Sequence, residues 1–130
     1  MHRKNTLLIV AAIVGFLGVA LGASGKHALQ DQIDTPLYSS FETGLRYHQV
    51  HGAALLAIAL ASCCVPSPVR AQRLRTSGWI LLVGILVFCG SLYCLAFSGM
   101  TGLGRITPVG GVLLMAGWLS LCRVATAADS

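Results

Sequence analysis

The residues with chemical potential gather in one stretch, TPLYSSFETGLRYHQVHGAALLAIALASCC, from Thr35 to Cys64. His48 and His51 are spaced H-x-x-H, which puts both imidazoles on one face of a helix together with Phe41, Gly44, Gly52 and Leu55. Three chemistries suit such a pair. The two rings and His27 could ligate a metal ion, although the spacing is a weak signature and no acidic base accompanies it. A proton relay or pH-sensitive gate would use a side chain that titrates near neutrality. The plainest alternative is a pair of hydrogen-bonded polar residues at a helix–helix contact. Glu42, Arg46 and Gln49 form a second stripe, with Glu42 and Arg46 in the favourable i,i+4 order for mutual neutralisation. A ligand contact or proton-carrying role for Glu42 or Arg46 is the functional counterpart of that reading. No nucleophile–base pair, phosphate-binding loop or strong metal signature occurs, so the expectation is a non-enzyme with no catalytic residue, metal or cofactor.

The elements that hold these residues follow from composition. Of 130 residues, 55% are hydrophobic and 10% charged, and the mean hydropathy is +0.78. That leaves too little charge to cover a water-facing surface, since a soluble domain has about 25% charged residues. Lipid is the alternative solvent. The net charge of +5 does not indicate nucleic acid, because no basic run with interleaved aromatics exists. Four uncharged or nearly uncharged apolar stretches predict an all-α, four-helix transmembrane bundle in one membrane domain, 1–130. The helices are expected at approximately 5–25, 36–65, 78–98 and 107–123. The second is over-long, and its first third is expected to project into or beyond the outer interface, where Tyr38, Phe41 and Tyr47 suit an aromatic belt. The fourth is short and begins at Thr107-Pro108, an N-cap followed by a first-turn proline.

Cation placement predicts the orientation. Arg3, Lys4, Arg70, Arg73, Arg75 and Arg123 fall on one side, against Lys26, Arg46 and Arg105 on the other, which predicts both ends in the cytoplasm. The stretch PSPVRAQRLRTS is expected as the cytoplasmic loop. Lys26, His27, Glu42, Arg46, Arg105 and Thr107 would then lie at the outer helix ends, where the connections are expected to meet. The first segment also resembles a cleavable signal peptide ending near Gly22 or Ala23. Cys63, Cys64, Cys89, Cys94 and Cys122 lack metal spacing and read as small buried hydrophobes. Helix association in lipid depends on close backbone approach, and Gly18, Gly22, Gly44, Gly52, Gly90 and Gly110 are the expected packing positions.

Four motifs carry a family resemblance: LGASGKHAL (21–29), FETGLRYHQVHGAALL (41–56), CGSLYCLAFSG (89–99) and LGRITPVGG (103–111). In this order the chain resembles the small YgdD-like bacterial inner-membrane proteins, whose animal relative is transmembrane protein 256. The resemblance implies a multi-pass protein of the bacterial inner membrane that retains its first helix, because one motif crosses the supposed cleavage site. It marks Tyr47, His48, Gln49, His51, Gly90, Ser91, Tyr93, Gly99, Thr107, Pro108 and Gly110 as motif positions. Ser24 and Lys26 depart from its pattern and place a cation beside His27. The resemblance transfers no reaction. The expected function is that of a non-enzymatic accessory or assembly protein, with the lipid bilayer, a second copy or other membrane proteins as partners. The alternative is a small oligomeric transporter or proton/ion pathway using the His/Glu/Arg cluster of the second helix.

Overall fold

The structure, a computed structural model, describes residues 5–127. Its helices are α1 (Thr6–Leu29), α2 (Thr35–Cys64), α3 (Pro68–Ser98), α4 (Thr107–Ser120) and the single turn α5 (Cys122–Ala125). A 3-10 segment, η1 (Thr101–Arg105), joins α3 to α4. Four helical stretches are long and apolar enough to cross a membrane: α1, α2, α3, and residues 101–125 taken together.

Local chemistry explains most boundaries. Asn5 caps α1 by accepting the Leu8 amide at 3.2 Å. Asp34 precedes α2 with Pro36 in the first turn, as Thr35-Pro36 suggests. Three boundaries correct the sequence reading, the fourth helix closing at Ser120 rather than 123. The third helix begins at Pro68 rather than 78, so the arginine-rich stretch expected as a loop forms its first turns. Ser67 caps it, and Ala71, Gln72, Arg73 and Leu74 are good helix formers. Charge there fixes the solvent, not the backbone. The first helix runs on to Leu29 rather than 25, because Gly25 is held against Phe41 of α2 and does not end it.

α3 ends at Gly99, the chain's one positive-φ residue among those described, at φ 68. This left-handed position satisfies the Leu95 carbonyl at 2.8 Å. A Cβ there would meet only Leu37, at an ordinary 3.9 Å, so the cost of substitution is conformational. Gly99→Ala should lower unfolding stability by about 1 kcal/mol, measurable by denaturant titration in detergent micelles; an unchanged midpoint would contradict the role of Gly99 as a cap.

Successive helices are antiparallel neighbours. Asn5 meets Ala59 and Cys63, a Cβ on Gly44 would meet Leu92 and Tyr93, and Thr107 meets Ser91. Both described ends of the chain therefore emerge on the same side of the bundle. The main core joins Leu7 and Ala11 of α1, Leu55 and Ile58 of α2, Leu81 and Ile85 of α3, and Leu114 of α4. A smaller cluster at the other end surrounds the fully buried Phe41 with Leu29 and Ala96. In their most apolar windows α2 and α3 are 39% and 44% buried, against 22% and 17% for α1 and the fourth span. The two outer helices thus present most of their apolar surface outward, including Phe16 and Leu119, where a soluble protein would place charge.

Candidate functional site

His48 sits near the middle of α2, about 20 Å along the helix from Thr35 at 1.5 Å per residue. It is buried, and both ring nitrogens are engaged. Nε2 lies 2.8 Å from the Val14 carbonyl of α1, and Nδ1 lies 3.0 Å from the Tyr93 hydroxyl of α3. A carbonyl only accepts, so Nε2 carries the hydrogen, and Nδ1 accepts from Tyr93. The ring therefore ties three helices together. Two glycines make this approach possible. A Cβ on Gly18 would meet the His48 ring at 3.4 Å, and one on Gly44 would meet Tyr93 at 3.1 Å.

His51, one turn on, uses the opposite tautomer. Its Nδ1 donates to the Tyr47 carbonyl at 2.8 Å. The ring stacks on Tyr47 with centroids 5.6 Å apart and meets Trp118 of α4 edge-on at 6.0 Å. Tyr47 in turn packs on Phe88 of α3 at 4.5 Å. The two histidines share a face in sequence but serve different neighbours, so they do not converge on a common ligand. His27 is exposed on the last turns of α1, about 14 Å along that helix beyond the Gly18 level of His48. Among the described residues no three His, Cys, Asp or Glu side chains are grouped to hold a metal.

The remaining polar residues separate into two groups instead of one. Glu42, Arg46 and Gln49 are exposed and, with Lys26 and Tyr38, line a groove of about 230 Å³ between α1 and α2. Gln49 also reaches the Gly18 carbonyl at 3.5 Å. Arg105 and Thr107 lie across α3 from that groove. Arg105 is exposed at the end of η1, and Thr107 donates to Ser91 at 2.7 Å, since the Ser91 hydroxyl is itself spent on the Phe88 carbonyl. The expected meeting of the two outer connections fails because α3 stands between α2 and α4, and among the described elements η1 packs on α3 and α4 alone.

The packing glycines divide as sharply. Gly22 and Gly52 face Gln49 and Val14 at 3.2 and 3.3 Å. Gly110 lies closest of the expected set, with a would-be Cβ 2.3 Å from the Phe88 nitrogen. Gly90 makes no such contact, since a Cβ there would meet no described residue within 4 Å. Sequence reasoning left Gly25, Gly78 and Gly84 out of the packing set, although they meet Phe41, Leu7 and Leu114 below 3 Å. It also overlooked Trp118. The seven-residue spacing of Ser77, Gly84 and Ser91 is the signal that marks the face of α3 presented to α4, where Ser77 meets Ser120 and Ser91 meets Thr107.

The protein-family description "Protein of unknown function (DUF423)" matches residues 21–111. The UPF0382 membrane protein of Haemophilus influenzae is 42% identical over 118 residues, covering 91% of each chain. The UPF0382 inner membrane protein YgdD of Escherichia coli is 42% identical, covering 86% of this chain and 82% of its own. YwdK of Bacillus subtilis, another UPF0382 membrane protein, is 34% identical over 90% of this chain. No solved structure matches. With four spans in its fold and membrane proteins as its relatives, the chain belongs to the DUF423 (UPF0382) family of multi-pass membrane proteins.

Proposed function

We propose that this membrane protein acts as a non-enzymatic accessory or assembly factor, through its helix surfaces rather than through chemistry at a centre. The observation that carries this reading is His48. An intramembrane ionisable side chain is by default a functional candidate, yet both nitrogens of this ring are consumed by bonds to Val14 and Tyr93. A relay needs a nitrogen that can exchange partners; a cross-brace needs both occupied. The largely uncovered apolar faces of α1 and α4 supply surface for a second copy or for helices of other membrane proteins. The cation bias supports a cytoplasmic position for the end bearing Arg70, Arg73, Arg75 and Arg123.

The competing reading, a small oligomeric proton or ion pathway, makes a distinct claim about flux. Purified protein in liposomes should pass protons, sodium and potassium no faster than protein-free liposomes. His48→Ala and His51→Ala should leave that background unchanged. Proton flux above background that either substitution abolishes would replace the assembly reading with the transport one.

A further inference from the structure

A second polar site lies at the opposite end of the bundle from the Glu42 groove. Gln72, Arg73, Thr76 and Ser77 of α3 face Ser120 and Arg123 across the break between α4 and α5, enclosing a pocket of about 170 Å³. Ser120 turns its hydroxyl to the Gly117 carbonyl and to Ser77, 2.7 Å away in each case, and Arg73 donates to the Arg123 carbonyl. Arg73 is thus held in place through one N–H, and a guanidinium has five. The Arg123 guanidinium has no protein acceptor among the described residues. The described acidic residues, Asp31, Asp34 and Glu42, all belong to the opposite end.

Depth fixes which anion meets this pocket. From Gly78 to Ser98 α3 covers about 30 Å at 1.5 Å per residue, which is the hydrocarbon thickness of a bilayer. Ser77 and Ser120 therefore mark the hydrocarbon boundary. Arg73 stands about 6 Å beyond Ser77, at headgroup depth. Two guanidiniums, the Gln72 amide and a floor of serine hydroxyls at that level suit a phosphodiester, which accepts bidentate N–H donation, while the Thr76 hydroxyl is already donated to the Gln72 carbonyl. We infer that the pocket between the start of α3 and the α4–α5 break binds the phosphate headgroup of an anionic phospholipid.

Native mass spectrometry of the whole protein in detergent, titrated with dioleoylphosphatidylglycerol or dioleoylphosphatidylcholine, tests this. The wild type should retain phosphatidylglycerol in preference. Arg123→Gln should weaken that retention about fivefold and leave phosphatidylcholine unchanged. This variant is suitable because the Arg123 side chain supports no described helix contact. Gln72→Glu, which sets a like charge in the pocket, should have a similar effect. Equal retention of the two lipids by the wild type would overturn the assignment, as would unchanged selectivity in both variants. Inorganic phosphate at millimolar concentration should not displace the bound lipid. If it does so stoichiometrically, the pocket takes free phosphate and the lipid assignment is wrong.

Discussion

Gly110→Ala should cost the protein about 3 kcal/mol of stability, although it adds a single methyl group to a helix. A Cβ at that position would stand 2.3 Å from the backbone nitrogen of Phe88 and 2.5 Å from its Cα. Neither atom can swing aside as a side chain would, so α4 must move away from α3 as a body. That movement would stretch the Ser91–Thr107 bond, now 2.7 Å, and disturb the Gly84–Leu114 contact on the same face. Gly90→Ala is the matched control. Its added methyl meets no described residue within 4 Å, and alanine exceeds glycine in helix preference by about 1 kcal/mol. The pair should therefore move in opposite directions when unfolded by denaturant in detergent micelles. Equal shifts for the two would mean that the α3–α4 contact contributes little.

His48→Ala should be nearly as damaging, at about 2–3 kcal/mol. The substitution leaves the Tyr93 hydroxyl without its acceptor and opens space beneath Gly18, where the ring now packs. Interhelical hydrogen bonds in membranes average only about 0.6 kcal/mol and reach about 1.7, so the lost packing supplies much of the effect. Tyr93→Phe removes one bond with little change of shape and should cost about 1 kcal/mol. Combining the two substitutions separates bond from packing. A coupling of about 0.5–1.5 kcal/mol is expected, whereas strictly additive losses would show that the His48–Tyr93 bond carries no stability. Nitrogen chemical shifts supply an independent check, with the hydrogen expected on Nε2 of His48 and on Nδ1 of His51.

The spans themselves were legible because lipid imposes a simple rule, that apolar residues must continue for about 20 positions. The same rule misplaced the start of α3. Arg70, Arg73 and Arg75 say that the segment is wet, and hydropathy has no further information about its backbone; Ser67-Pro68 does. Histidine faces were readable from helical periodicity, which put His48 and His51 beside Gly44 and Gly52. Periodicity within one helix could not say which neighbour each face would meet. So the separation of the two rings between α3 and α4, and the division of Glu42 from Thr107, became visible only with the bundle order. Gly90 and Gly110 make the same point. Both lie in motif stretches, and only the position of Phe88 distinguishes a contact from a vacancy.

The antiparallel succession of neighbours bears on how the protein is made. Each helix packs chiefly against the one synthesised before it, α2 on α1, α3 on α2 and α4 on α3. Contacts are therefore local in sequence, an arrangement that favours rapid assembly. When α2 enters the bilayer, the Val14 carbonyl is already there to receive the Nε2 hydrogen of His48. Tyr93 arrives later and completes the second bond. No span has to wait for a distant partner, and the nascent chain is never left with its most polar intramembrane side chain wholly unmatched.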